Sequence, residues 1–268
     1  MFNKIYHGRS EEVIDQIPDE SVHLIITSPP YNIDLGNKKT KSKRCRTYDE
    51  YDDNKDHDDF LQDLKVLFGK AKRVLTNDGR VVVNTSDTQN GRVPLGADFV
   101  HMMVRELEYK MYTTIVWNKS GQTSNRLSWG SWMSPSAPSF PTPFEWIYVF
   151  AKDHMKLQRK GETDLDEKEF KNWAFAYWNF PGERRMPEFD HPAMFPEELP
   201  KRCIKMFSYK GDVVLDPYNG AGTTCVVAKK LDRRYIGIDL SEKYCKTAES
   251  RLNDLYNEDD WNAFLLGV

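Results

Sequence analysis

Cysteine is scarce. The chain has four, Cys45, Cys203, Cys225 and Cys245, and no two of them form a Cys-x-x-Cys pair. That scatter argues against a zinc site or a disulfide framework and leaves reduced thiols as the expectation. Long apolar runs are missing too: stretches such as Val81-Val82-Val83 are far too short to cross a bilayer. Met1 to His7 lacks the apolar core of a signal peptide, so a cytoplasmic protein is expected, with no membrane partner. Charge of one sign is absent as well. With a net charge of -3, any contact with nucleic acid must rest on local basic patches. The triple-glycine spacing of a dinucleotide loop does not occur, which argues against a nicotinamide enzyme. No internal repeat is visible.

What is present is ordinary in amount and specific in order. At 268 residues, with 39% hydrophobic and 29% charged side chains, the chain can bury the core of one α/β domain with a small appendage. Its most informative stretch is Val213-Val214-Leu215-Asp216-Pro217-Tyr218-Asn219-Gly220-Ala221-Gly222-Thr223-Thr224. An apolar run ends in an acid and a proline, then a glycine-rich turn enters a small-residue helix. That pattern is a buried strand, a tight loop and a helix start, the parts of a nucleotide-type pocket.

Periodicity predicts the remaining elements. Short strands are expected from Ile5, over Val22–Ile26, Arg80–Asn84, Thr113–Trp117 and Trp146–Phe150, and over Tyr235–Asp239. Helices are expected near Glu11–Ile17, over 58–75, around Phe99–Leu107, near Glu197–Phe207, from Thr223 to Leu231, and at the end of the chain. Asn77-Asp78-Gly79 reads as the end of the 58–75 helix, and Ser134 to Pro143 as a loop outside the sheet.

Two stretches carry local positive charge. Residues 38–46 hold Lys41, Lys43 and Arg44 with no acid among them, so they read as a solvated loop or as a lid that meets phosphates. Residues 153–190 interleave Lys156, Arg159, Arg184 and Arg185 with Trp173, Phe175, Tyr177, Trp178 and Phe180. Basic residues among aromatics suit nucleic-acid contact, although each aromatic taken singly reads more simply as core.

A second motif, Thr27-Ser28-Pro29-Pro30-Tyr31-Asn32, sits at the C-terminal end of a buried strand, where open α/β sheets bind ligands. Consecutive prolines fix the backbone and remove two N–H donors, leaving carbonyls in set directions. Ser28 offers an oxygen, Pro29 a carbonyl and Tyr31 a flat ring, a set that fits a planar exocyclic amine. Such an amine is a poor nucleophile because its lone pair is delocalised. Acceptors that draw its hydrogens out of plane restore that lone pair. In the glycine loop, Gly220 and Gly222 permit close backbone approach, Thr223 opens the helix, and Asp239 ends the next strand, where an acid commonly receives ribose hydroxyls.

With these residues in this order, the sequence resembles a β-class DNA amino-methyltransferase dependent on S-adenosylmethionine. The resemblance implies a Rossmann-like α/β fold with a mostly parallel sheet and circularly rearranged motifs. It also implies one domain over 1–268, with 153–190 as the target-recognition region. It places the target amine on Ser28 and the Pro29 carbonyl, beside Pro30, and stacks a flipped base on Tyr31. Asp216, Pro217, Tyr218, Gly220, Gly222 and Thr223 would then hold the methionine part of the cofactor and Asp239 its ribose. His191 to Pro196, with His191, Phe195 and Pro196 foremost, would line the other side. Duplex DNA is the implied substrate, met by Lys41, Lys43, Arg44, Arg184 and Arg185; a cognate restriction endonuclease and a homodimer are implied partners.

The serine form of the Pro-Pro motif and His191-Pro192-Ala193-Met194-Phe195-Pro196 resemble the cytosine-N4 branch more than the adenine-N6 branch. The alternatives are an adenine-N6 enzyme and, further off, an inactive DNA-binding relative. A C5-cytosine enzyme is disfavoured because no cysteine follows a proline. The family often has Gly-Asp near the N-terminus, whereas here Gly8 precedes Arg9.

Overall fold

Runs of valine, isoleucine and leucine stack side by side into one eight-stranded sheet. The computed structural model describes residues 1–33, 48, 50–88, 93–119, 130–140 and 142–266, with side chains through 255. In chain order the strands are β1 (Lys4–His7), β2 (Val22–Thr27), β3 (Leu75–Thr85), β4 (Lys110–Asn118), β5 (Phe144–Ala151), β6 (Tyr177–Asn179), β7 (Val213–Asp216) and β8 (Arg234–Asp239). Across the sheet they lie in the order β1-β8-β7-β2-β3-β5-β4-β6. Only β5 runs against its neighbours; every other adjacent pair is parallel.

The central strands are apolar without interruption because both of their faces are covered. Ile25, Val81, Val83 and Leu215 point to one layer, with α1 (Ser10–Val13), α2 (His57–Val74) and α3 (Leu95–His101). Leu24, Ile26, Val82 and Val214 point to the other. There they meet α4 (Glu167–Trp173), α5 (Glu198–Phe207), α6 (Thr223–Lys230) and α7 (Glu242–Leu266). The helix α2 starts on Asp56, whose side chain accepts from the Asp58 N–H, a local reason for the chain to begin winding there. Among the described residues, no helix is long and apolar enough to cross a membrane.

Chain order and sheet order part company at the centre. The chain leaves β7 through α6 to β8 on one side, and leaves β2 through α2 to β3 on the other. The C-terminal ends of β7 and β2 therefore lie side by side at the point where the winding reverses, with Leu24 opposite Val214 and Ile25 opposite Leu215. That crevice is where an open α/β sheet takes its ligand.

One expectation is revised. Asn77-Asp78-Gly79 does not separate α2 from the next strand: β3 begins at Leu75, and its register steps from Val22–Leu75 to Leu24–Arg80. A distant segment supports that irregularity, since Asp78 Oδ2 accepts from the Gln158 N–H at 2.7 Å. The 153–190 segment joins the sheet. It adds α4 and then β6, which pairs in parallel with β4 at the edge. Trp173, Trp178 and Phe180 are buried there, while Phe175 and Tyr177 are exposed.

Candidate active site

The glycine loop and the Pro-Pro motif are joined by hydrogen bonds through Asp216. Its carboxylate, buried at the end of β7, accepts from Thr27 Oγ1 at 2.8 Å, from Thr224 Oγ1 at 2.6 Å and from the Tyr218 N–H at 3.1 Å. Burial pushes this acid up to about 6, against the pull of those hydrogen bonds. Most of its acceptor capacity is thus spent within the protein. Asp216 welds β2 to β7.

From that weld the two motifs open into one cavity of about 1180 Å³, which Ser28, Pro29, Pro30 and Tyr31 line together with Pro217, Tyr218, Gly220, Thr223 and Asp239. Drug-sized pockets span roughly 300–1,000 Å³, so this volume suits a cofactor and a second reactant together.

On the glycine-loop side, Gly220 has φ 49° and lies under His191, whose Nε2 would be 2.7 Å from any added Cβ. Its N–H donates to Asp239 Oδ2 at 2.7 Å, and the Ser241 N–H donates to Oδ1 at 2.9 Å. Burial raises the Asp239 acid above its ordinary range, against these two bonds. His191 is buried against Tyr244, with ring centroids 4.5 Å apart, and burial pushes it down to about 4, so it is neutral. Its Nδ1 accepts from the Ala193 N–H, which orients the following turn along the cavity wall.

Some residues of the loop and turn stand elsewhere. Gly222, with φ 82°, lies against α7, where an added Cβ would be 2.6 Å from that of Ala248; it is absent from the cavity wall. Pro196 is absent as well: its carbonyl accepts from the Leu199 N–H where the chain enters α5, whereas Phe195 does line the cavity.

On the Pro-Pro side the structure adds residues that sequence pattern does not reveal. Tyr31 is not merely a flat ring. Its hydroxyl is 3.2 Å from Ser28 Oγ, accepts from Asn84 Nδ2 at 2.9 Å, and donates to Glu145 Oε2 at 3.2 Å. Asn84 Nδ2 also donates to Glu145 Oε2 at 2.8 Å, and Lys119 Nζ pairs with Glu145 Oε1. Burial, followed by the Glu145 charge, holds the Tyr31 phenol well above its usual range, so it stays protonated. Asn84 Oδ1 is buried with no partner among the described residues. Asn84 and Lys119 come from the ends of β3 and β4, and Glu145 from the start of antiparallel β5, so all three converge on one end of the sheet. Asn84 carried a faint signal, since it ends an apolar strand just as Thr27 does. Glu145 and Lys119 carried none.

The basic candidates separate. Arg184 is exposed. Arg185 is held at home by Glu183, with Nη2 3.2 Å from Oε2. Lys41, Lys43 and Arg44 lie outside the described residues.

The donor and acceptor set fits S-adenosylmethionine. An acid stands ready for ribose hydroxyls, the N-terminus of α6 for a carboxylate, and aromatic rings of Tyr218 and Tyr244 for an apolar body. Known proteins agree. Type II methyltransferase M.MjaVI of Methanocaldococcus jannaschii is 37% identical over 171 residues, covering 63% of this chain and 81% of that protein. M.BglII of Bacillus subtilis is 32% identical over 260 residues, covering 92% and 68%. A protein of Thermus thermophilus assigned as a DNA modification methylase was solved with S-adenosyl-L-methionine. It is 28% identical, covers 93% of this chain and 94% of that one, and superposes with a TM-score of 0.68. The N6/N4 DNA methylase family model matches residues 22–250, so the chain belongs to that family and is an S-adenosylmethionine-dependent DNA amino-methyltransferase.

Proposed function

We propose that this enzyme methylates the N4 amine of cytosine at a specific site in duplex DNA, with the target base flipped out of the helix. The observation that carries the reading is the Ser28–Tyr31–Glu145–Lys119 chain in the same cavity as Gly220 and Asp239. Bound S-adenosylmethionine supplies an electrophilic methyl group. The protein's part is to make the amine reactive and to hold it in line.

Ser28 Oγ and the Pro29 carbonyl accept the two amine hydrogens and draw the lone pair out of conjugation, while the Tyr31 ring stacks on the base. The proton that the amine must lose has a path from Ser28 through the Tyr31 hydroxyl to Glu145, whose charge Lys119 balances. Beside its amine, cytosine presents N3 and O2, two acceptors in a row; adenine presents N1 and then a C–H. The Lys119 ammonium in this cavity favours the edge with more acceptors.

Asp239 takes ribose hydroxyls, Gly220 and Thr223 approach the methionine part, and His191 and Phe195 close the other side. Asp216 lines the cavity while its carboxylate ties Thr27 to Thr224, and Gly222 acts one layer back, holding the loop in shape. Arg184 meets phosphate, and 153–190 reads the site. A restriction endonuclease of the same specificity and a second copy of this chain are the partners that the family resemblance implies.

The test is direct. Plasmid DNA incubated with the enzyme and S-adenosylmethionine is digested to nucleosides and analysed by mass. N4-methylcytosine is the expected product; N6-methyladenine in its place overturns the base assignment.

A further inference from the structure

Between β4 and β5 the chain forms a small hairpin whose chemistry is turned inside out. Gly130 and Pro138 bridge as an antiparallel pair, and the Ser131 N–H donates to the Ala137 carbonyl at 2.9 Å. Ser131 Oγ accepts from the Ala137 N–H at 2.9 Å and donates to the Ser134 carbonyl at 2.7 Å. Ser131, Ser134 and Ser136 thus spend their hydroxyls within the hairpin. Its large apolar side chains face water instead: Trp132 is 71% exposed, Met133 88% and Phe140 82%. Met133 is also held at φ 54°, a left-handed conformation that is strained for a side-chain-bearing residue. A tip that is strained, apolar and exposed marks a surface meant to be covered.

Position and charge indicate what covers it. Pro138, Ser139 and Phe140 line the same cavity as Ser28 and Tyr31, so the hairpin rises from the rim of the pocket that receives the target base. From Ser120 to Phe144 the sequence has no acid, one arginine and many serines, a composition suited to lie against a polyanion. A base that leaves the stack leaves a gap, and methionine and other apolar side chains are suitable fillers of unstacked steps.

We propose that the hairpin at 130–140 is a wedge that enters duplex DNA beside the target. Met133 occupies the opened step, and Trp132 and Phe140 cover its flanks. The inference rests on the base-flipping reading above and extends it to residues outside the reaction centre.

The test begins by mapping the modified site in plasmid DNA. A duplex with that site is then compared with the same duplex carrying a mispair at the target base, which is cheaper to flip. The Trp132→Ala/Met133→Ala double variant should methylate the paired duplex at least tenfold more slowly than wild type. On the mispaired duplex it should come within about threefold, and its affinity for S-adenosylmethionine should be unchanged. Met133→Leu should restore the rate on paired DNA. An unchanged rate on paired DNA overturns the wedge, and so does a loss that the mispair does not relieve. Loss of a dimer on sedimentation, with DNA rates intact, overturns it in favour of a second copy as the partner. If wild type modifies paired duplex well and flips nothing, as read by 2-aminopurine fluorescence at the target, both readings fall together.

Discussion

Ser28 and Asp239 line one cavity from two different motifs, and their substitutions should separate the two binding events. Ser28→Ala removes an acceptor for the amine and the first link of the proton path. Its turnover should fall about 100-fold while the Kd for S-adenosylmethionine stays within twofold, read by single-turnover methylation and calorimetry. Asp239→Ala should do the reverse, raising that Kd at least about tenfold, since hydrogen bonds to a charged group are worth roughly 1.5–3 kcal/mol. Equal affinity in wild type and Asp239→Ala would remove the ribose role. Tyr31→Phe keeps the ring but cuts Ser28 from Glu145. Turnover should fall with KM for DNA little changed, and a loss in KM alone would return Tyr31 to stacking only.

At the scale of elements, the glycine loop is held from behind as much as it holds its ligand. Gly222 sits at the junction of α6 and α7, left-handed and against Ala248. Gly222→Ala adds a clash to a strained conformation, so urea unfolding should show a loss of about 2–4 kcal/mol. A loss below about 0.5 kcal/mol would show that α7 yields at no cost. The irregular start of β3 has a comparable brace. Arg159 reaches Asp78 Oδ1 and Asp212 Oδ2, each at 2.6 Å, and so ties β3 to the residue before β7. Arg159→Met should cost on the order of 3 kcal/mol, because it takes the guanidinium charge away from two sheltered carboxylates. None of these three residues lines the cavity, so S-adenosylmethionine affinity should hold in whatever fraction folds.

Over the whole molecule, two buried groups of the site pull pH dependence in opposite directions. Below the ordinary histidine range the unfolded chain takes up a proton that folded His191 refuses until about pH 4. Its contribution to stability is therefore lost as pH falls from about 6.5 to 4. Asp216 behaves in the other sense. Folded, it keeps its proton up to about pH 6, so its contribution is lost as pH rises through the interval from about 4 to 6. The two offset each other in wild type. His191→Gln removes one of them, so urea midpoints at pH 7 and pH 5 should shift in the variant's favour by about 2 kcal/mol relative to wild type. A difference that does not change with pH would mean that His191 is solvated or charged in the folded protein.

Local pattern was enough for much of this molecule. Uninterrupted apolar runs between turn residues marked β2, β7 and β8, and the 3.6-residue period marked α2, because burial on two faces or on one leaves those periods in any chain. The order of the two motifs carried the family, and with it the cofactor and the fold. Side-chain type at strand ends was enough to bring Ser28, Tyr31, Gly220 and Asp239 to one cavity. Tertiary structure decided the rest. Asp216 lines the cavity yet is tied to Thr27, and Gly222 sits against Ala248 behind it; both neighbours come from parts of the chain that no local window includes. Trp173 and Phe175 are near neighbours in sequence, yet one is buried and the other exposed, because α4 and β6 dock on the sheet edge in one particular way. Glu145 and Lys119 were silent for the same reason. Only an antiparallel strand laid between β3 and β4 returns the chain to the same end of the sheet, where a lone acid and a lone base can meet a tyrosine from the far N-terminal part of the chain.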